Sequence, residues 1–375
     1  MKYYIIAGEA SGDLHGANLM KQLYKEDPKA EIRFWGGDLM EAVGGTLVTH
    51  FKERAFMGFI EVIMNLTKVL GFIKFCKKDI AQFHPDTLIF IDNSGFNLRV
   101  ANWAKAQNFR TNYYISPQVW ASRAGRVKDI KRDVDKLFVI LPFEKEFYKK
   151  YDYPVEFVGH PLIDAIADRT QVDEVDFRKT HGLSNKPIIA LLPGSRKQEI
   201  TKMLSVMLSL RDDFNAYEFV IAGAPSQNFD FYKQIIGNQN VGFVNNKTYD
   251  LLSVSYVALV GSGTATLETA LFKVPQVVCY KGSAISYQIA KRIITLKFIS
   301  LVNLIMDKEV VKELIQNDFT KKKLKAACIR ILDPIYREKL FIAYFELEKI
   351  LGGVGASSKV AKKIVADLKV ISSRD

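Results

Sequence analysis

Three features of the sequence predict two α/β domains, each a parallel sheet with helices on both faces. Short apolar runs alternate with helical patterns over two long blocks, and alternation of that kind builds parallel sheets covered on both sides. Several runs end in small-residue loops that open helices: Gly8-Glu9-Ala10-Ser11-Gly12-Asp13, Pro193-Gly194-Ser195-Arg196 and Gly261-Ser262-Gly263-Thr264. Between the blocks the alternation stops, near Gly159-His160-Pro161-Leu162, and a charged stretch follows at 171–186. The expected domains are 1–164 and 165–340, with a final helix, within about 340–375, packing back on the first.

In the first block, strands are expected at 3–7, 32–35, 87–91, 112–115, 137–141 and 155–158. In the second they are expected at 188–192, 218–221, 241–244, 257–260 and 276–280, and from Val310 onward the chain reads as helical and basic. Open α/β sheets bind ligands at the carboxyl ends of their strands, so the loops there are the place to look for a site.

The run 188–192 breaks at Gly194 and turns into a helix, which leaves backbone N–H groups pointing off the sheet edge beside Ser195 and Arg196. That arrangement can hold a phosphate. The later loop, with Ser262, Gly263, Thr264 and Ala265, repeats the plan, so two helix N-termini can converge on one diphosphate. Glu268 is expected in the first turn of the second helix, where its carboxylate can accept from ribose hydroxyls. Either stretch alone reads equally as a tight turn at a strand's end; two of them, one with an Arg, favour a nucleotide-sugar site.

The first loop matches neither a P-loop nor a G-x-G-x-x-G dinucleotide motif. It offers Glu9, Ser11, Gly12, Asp13 and His15, with the alternative that Asp13 caps its own helix and His15 is a solvated bystander. Asp92-Asn93 ends the run 87–91, making Asp92 a candidate functional carboxylate or a loop cap. Asp133-Val134-Asp135 has the spacing of a metal-holding D-x-D, but it precedes the amino end of a strand, the wrong edge for a ligand, and reads as solvated charge. No other cluster has ligand spacing, so neither a metal nor a cofactor is expected.

The 375 residues suffice for two full cores, and the three cysteines, Cys76, Cys279 and Cys328, suggest neither a disulfide framework nor a zinc site. The net charge of +12 favours an anionic partner, and no nucleic-acid motif accompanies it. Two greasy segments, 56–75 with Lys68, Lys74, Lys77 and Lys78, and 287–306 with Lys291, Arg292 and Lys297, are either buried or contacts for acyl chains and an anionic lipid surface. The N-terminus reads as a first strand and no signal peptide, and the longest uncharged stretch, 251–267, is too polar to span a bilayer. A soluble or peripheral protein is expected.

AGEASGD ending at Asp13, ISPQVWA from Ile115, LPFE ending at Glu144, FVGHPL ending at Leu162, LLPGSRKQEI from Leu191 and GSGTATLE from Gly261 together resemble bacterial lipid-A-disaccharide synthases. The resemblance implies a GT-B fold, two Rossmann-like domains facing across a cleft, with the acceptor on the first and the donor on the second. It also implies a metal-independent inverting glycosyltransferase. Its substrates would be UDP-2,3-diacylglucosamine and 2,3-diacylglucosamine 1-phosphate, joined by a β-1,6 bond at the cytoplasmic face of the inner membrane. Arg196 and the helix starting near Gly263 would stabilise departing UDP, and Asn93, Ser11, Gly12 and Asp13 would lie on the acceptor side. The chain departs from the family pattern at Gly95, where relatives carry a carboxylate, which leaves Asp92 or Glu9 as the base, and at Ser122, where relatives often carry Trp.

Overall fold

The computed structural model describes residues 1–54, 66–122, 124–282 and 297–373. The chain forms two compact units, Met1–Asp168 with Leu351–Asp375, and Arg169–Ile350. In the first, strands β1 (Lys2–Ala7), β2 (Glu31–Gly36), β3 (Thr46–His50), β4 (Thr87–Ile91), β5 (Thr111–Tyr114), β6 (Lys136–Val139) and β7 (Glu156–Phe157) make one sheet. Helices α1 (Ala10–Glu26), α2 (Asp38–Val43), α3 (Leu66–Phe83), α4 (Ser94–Ala106), α5 (Val119–Ser122), α6 (Val127–Asp133), α7 (Glu144–Lys149) and α8 (Pro161–Ala167) connect or follow them. The strand order is β3-β2-β1-β4-β5-β6-β7, every pairing parallel.

The central strands are apolar on both faces because helices cover both. Tyr3, Ile5 and Ala7 join one buried cluster with Leu19 and Met20 of α1; Tyr4 and Ile6 join the other with Trp35, Phe90 and Ile80 of α3. The greasy segment 56–75 lies outside the described residues as far as 65. Its described part is amphipathic, burying Ile73 while Leu70 and Phe75 stay 54% and 47% exposed.

The second unit runs through α9 (Glu174–Thr180), β8 (Ile188–Leu192), α10 (Lys197–Leu208), β9 (Glu218–Gly223), α11 (Phe229–Ile236), β10 (Gly242–Asn245) and α12 (Thr248–Ser253). It continues with β11 (Ser255–Gly261), α13 (Thr264–Leu271), β12 (Gln276–Tyr280), α14 (Leu301–Met306), β13 (Lys312–Ile315), α15 (Lys321–Leu332) and α16 (Pro334–Ile350). Its sheet is also wholly parallel, in the order β10-β9-β8-β11-β12-β13. The greasy segment 287–306 falls outside the described residues as far as 296 and ends in α14. Among the described residues no helix is long and apolar enough to cross a membrane.

Two strands depart from the sequence expectation. Both β3 (TLVTH) and β13 (KELI) are sheet edges with mixed polar sequences, and β13 falls where helix was expected. Pairing with β2 and β12 decides their conformation where local pattern does not. Of the D-x-D carboxylates, Asp133 is not solvated, whereas Asp135 lies at an exposed position. Asp133, 2% exposed, takes the Arg132 guanidinium in a two-bond fork, and Asp135 accepts from the Thr111 N–H at 2.9 Å.

After α16 the chain returns to the first unit as α17 (Ala356–Ser372). Val360, Ala361, Ile364, Val365 and Leu368 enter the same apolar cluster as β1 and α1. Asp164 of α8 accepts from the Ser357 N–H at 3.1 Å, capping α17, and Asp367 pairs with Arg110 at 3.1 Å. Beside this junction lie two buried histidines. His160 caps α8, its Nδ1 accepting from the Leu162 N–H at 3.2 Å, while its own backbone N–H donates to the Leu351 carbonyl at 3.0 Å. His15 is 7% exposed, which corrects its reading as a solvated bystander.

Burial lowers the His15 pKa from 6.5 to about 4, and burial together with the His15 charge lowers that of His160 to about 3. Because the folded pKa values lie below 6.5, the unfolded chain takes up these protons first, so stability present above pH 6.5 is lost as pH falls. His160→Asn keeps a capping oxygen and should lose less: its pH–stability curve between 6.5 and 4 should be flatter than that of the unaltered protein by about 1.4 kcal/mol per pH unit. Urea unfolding across that range measures the difference, and parallel curves would refute the buried neutral state of His160.

Candidate functional site

Each sheet has one place where the connections leave in opposite directions, between β1 and β4 in the first unit and between β8 and β11 in the second. At such a point the carboxyl edge is left open as a crevice. The sequence-predicted site residues gather at these two edges.

In the first unit β1 runs through Gly8 to Glu9, the N-cap residue of α1, and β4 runs into Asp92 and Asn93. The Asn93 side chain lies over Gly8 so closely that a Cβ there would stand 1.9 Å from Asn93 Nδ2. Asp92 and Asn93 both adopt left-handed backbone, with φ of 46° and 43°. That conformation is uncommon for residues with a side chain and costs on the order of 1 kcal/mol or more. Buried donors hold it in place. Asn97 Nδ2 donates to the carbonyls of Asp92 (2.9 Å) and Ile91 (3.1 Å), and the Tyr113 hydroxyl also donates to the Asp92 carbonyl.

Asp92 keeps an exposed edge, but the loops crowding its carboxylate, and then the neighbouring Glu9 charge, push its pKa above the ordinary carboxylate value. Ser11 is exposed on the first turn of α1, and Gly12 is packed against Ala7. Asp13 does something the sequence did not suggest. It sits inside α1 and is 3% exposed, and it accepts from the N–H groups of Gly37 (2.7 Å), Leu39 (3.0 Å) and Met40 (3.1 Å). It caps α2, not its own helix, and its carboxylate is fully engaged. Arg126, missed in the sequence, donates to Ser94 Oγ at 3.5 Å and brings a cation to this edge.

In the second unit the loops after β8 and β11 touch. A Cβ on Gly261 would stand 3.2 Å from the Leu192 carbonyl oxygen and 3.3 Å from the Gly194 nitrogen, so a larger residue would press the two loops a few tenths of an ångström apart. Gly194 and Gly263 take φ of 98° and 130°, where an L side chain is strained. Arg196 is the N-cap residue of α10, with its side chain 82% exposed and, among the described residues, an ion pair to Glu199 alone, at 3.2 Å. Gly263 is the N-cap residue of α13; neither N-cap residue caps its helix with its own side chain, and among the described residues no side chain is seen to accept from the first N–H groups, which suits them to an anion.

Ser195 presents its carbonyl to Ser226 Oγ (3.0 Å) and Gln227 Nε2 (3.3 Å), residues of the loop after β9 that the sequence reading passed over. Ser262 donates its N–H to the Cys279 carbonyl at 3.1 Å, whereas Thr264 is exposed and Ala265 half-buried beyond it. Glu268 falls in the second turn of α13, correcting the first-turn expectation, because the helix begins only at Thr264. There it accepts from the Tyr249 hydroxyl at 2.8 Å, and burial raises its pKa although that bond works the other way.

A model of the family described as lipid-A-disaccharide synthetase matches residues 3–361. Lipid-A-disaccharide synthases from Geobacter metallireducens and Coxiella burnetii are similar, the first 38% identical over 95% of this chain and 94% of its own, the second 34% over 96% of each. The chain belongs to the lipid-A-disaccharide synthase family. It is accordingly a glycosyltransferase of lipid A biosynthesis with the GT-B fold, forming a lipid A disaccharide.

The fold is shared more widely. Staphylococcus aureus MnaA in its co-structure with UDP gives a TM-score of 0.70 at 15% identity, covering 99% of this chain and 98% of that one. The UDP-GlcNAc 2-epimerase from Neisseria meningitidis bound to UDP-GlcNAc gives 0.67 at 14%, covering 98% and 99%. In this synthase-family chain the packing of Gly8 under Asn93 yields a direct test. Gly8→Ala must drive the Asn93 side chain aside and with it the Asp92 turn; we expect disaccharide formation to fall at least about tenfold, with about 1–3 kcal/mol lost in urea unfolding. Unchanged turnover would show that the close approach is dispensable.

Proposed function

We propose that the chain transfers 2,3-diacylglucosamine from UDP-2,3-diacylglucosamine to 2,3-diacylglucosamine 1-phosphate. The acceptor 6-hydroxyl oxygen bonds to the donor's anomeric carbon from the face opposite UDP, the bond to UDP breaks, and the β-1,6 disaccharide 1-phosphate forms with inversion. The hydroxyl proton passes to a carboxylate of the first unit. Asp92 is our assignment for that base, with Glu9 as the other candidate. The observation that carries it is the pairing of these two carboxylates at the β1/β4 edge, with the Asp92 pKa moved up from its ordinary value toward the working range of a general base.

The second unit would hold the donor. Arg196 and the open N-termini of α10 and α13 suit the diphosphate and the charge that develops as UDP leaves, and Glu268 suits the ribose hydroxyls. Gly194, Ser195, Ser262, Gly263, Thr264 and Ala265 supply the backbone around it. On the acceptor side Ser11, Gly12 and Asn93 line the edge, while Asp13 serves it through α2. We assign no metal or cofactor to the reaction. Lys68, Lys74 and Lys78, exposed beside Leu70 and Phe75 on α3, together with the net charge of +12, support a peripheral position on the cytoplasmic face of the inner membrane, where both lipid substrates reside.

The test is an assay of purified protein in detergent with excess EDTA, following UDP and the lipid disaccharide together by mass spectrometry. Equal amounts of both are expected. UDP alone, or product only after metal is restored, would overturn the mechanism. Asp92→Asn, shown to be folded, should lose turnover by about a hundredfold or more. The acid limb of kcat/KM should lie above the ordinary carboxylate range, since activity needs ionised Asp92 and is lost as pH falls through its raised pKa. If Asp92→Asn turns over normally and Glu9→Gln does not, the base is Glu9.

A further inference from the structure

Glu268 does not stand alone. Its Oε1 accepts from the Tyr249 hydroxyl at 2.8 Å, and Tyr249 belongs to α12, the helix that follows the edge strand β10. The Tyr249 ring is itself clamped. It packs on Phe272, ring centroids 5.4 Å apart, and the Arg169 guanidinium sits 5.4 Å from the centroid of each ring. Arg169 is fixed in turn by its ion pair with Asp250, the residue next to Tyr249, and Asp250 also meets Lys247 at 3.3 Å. Hydrogen bond, tilted ring contact, cation–π contact and ion pair therefore close on one another around a single carboxylate. Nothing in a tight turn at a strand's end calls for such a clamp.

The clamp acts on a group that burial works against. Desolvation favours the protonated form of Glu268, which would turn a two-oxygen acceptor into a poor partner for hydroxyl donors. A fixed phenol O–H opposes that and holds one oxygen, while no other donor among the described residues bonds the carboxylate. Oε2 is then free to accept from a vicinal diol.

We propose that Tyr249, held by Arg169 and Phe272, is a positioning residue that presents Glu268 to the ribose diol of the donor nucleotide. This rests on the reading of the second unit as the UDP-sugar site. It assigns Tyr249 no part in bond making; Tyr249 sets the preference for a nucleotide with an intact ribose diol, through Glu268.

The experiment compares binding of UDP and of 2′,3′-dideoxy-UDP by calorimetry, in the unaltered protein, Tyr249→Phe and Arg169→Met, with circular dichroism to show that each is folded. The unaltered protein should prefer UDP by about tenfold or more, and Tyr249→Phe should shrink that preference to about two- or threefold by weakening UDP and leaving the dideoxy compound alone. Arg169→Met should move in the same direction. In turnover, Tyr249→Phe should raise KM for the donor with kcat nearly unchanged. A purely structural role would weaken both nucleotides alike, and equal weakening, or an unchanged preference in Tyr249→Phe, overturns the proposal while leaving the donor site standing. An unaltered protein that binds no UDP overturns the donor reading and this inference with it.

Discussion

Parallel strands whose crossovers leave in opposite directions cannot have their shared carboxyl edge closed over by either connection, and both units are organised by that constraint. What fills the gap is decided by glycine. At the β1/β4 edge the missing Cβ of Gly8 makes room for Asn93, and at the β8/β11 edge Gly261 makes room for the backbone of Gly194. Each candidate half-site is thus a pair of loops pressed together, one from each side of the switch. The chemistry-bearing residues follow from which side chains those loops carry.

The two half-sites store order differently. In the first unit it lies in strained backbone. Asp92 and Asn93 take left-handed conformations against their preference, offset by buried amide and phenol donors on Asn97 and Tyr113. Among the described residues nothing stands within 4 Å of where a Gly95 side chain would begin, so that position is open. In the loops after β8 and β11 the positive φ angles fall on Gly194 and Gly263, which tolerate them, and the precision lies in side chains clamped around Glu268.

The legible parts of the sequence were those governed by short-range pattern. Runs such as 88–91 and 188–192 are apolar without a break, and the observed strands contain them because both faces are covered. The loops Gly8–Asp13, Asp92–Gly95 and Gly261–Ala265 were legible as strand-to-helix turns. What escaped depends on residues far apart in the chain. Asp13 reaches across to Gly37 and Met40, Tyr249 reaches to Glu268, and His15 is buried beside His160; no local spacing announces any of these. Edge strands β3 and β13 escaped because their residues are mostly half-buried and of mixed polarity, and only a neighbour's hydrogen-bond ladder makes them strands.

The return of α17 to the first unit has a consequence for how the protein is made. Its five apolar residues complete a cluster whose other members lie on α1, α2 and the strands β1, β2, β4, β5 and β6, or just after β5 and β7. A ribosome extends that first part, then all of Arg169–Ile350, before those residues emerge. At roughly 5–20 residues per second the wait is on the order of ten to forty seconds, during which the α1 face of the first sheet lacks its cover. The intervening unit, contiguous in sequence, can close its own core meanwhile. Vectorial synthesis therefore favours maturation of the second half before the first, with the nascent first half the natural client of a chaperone.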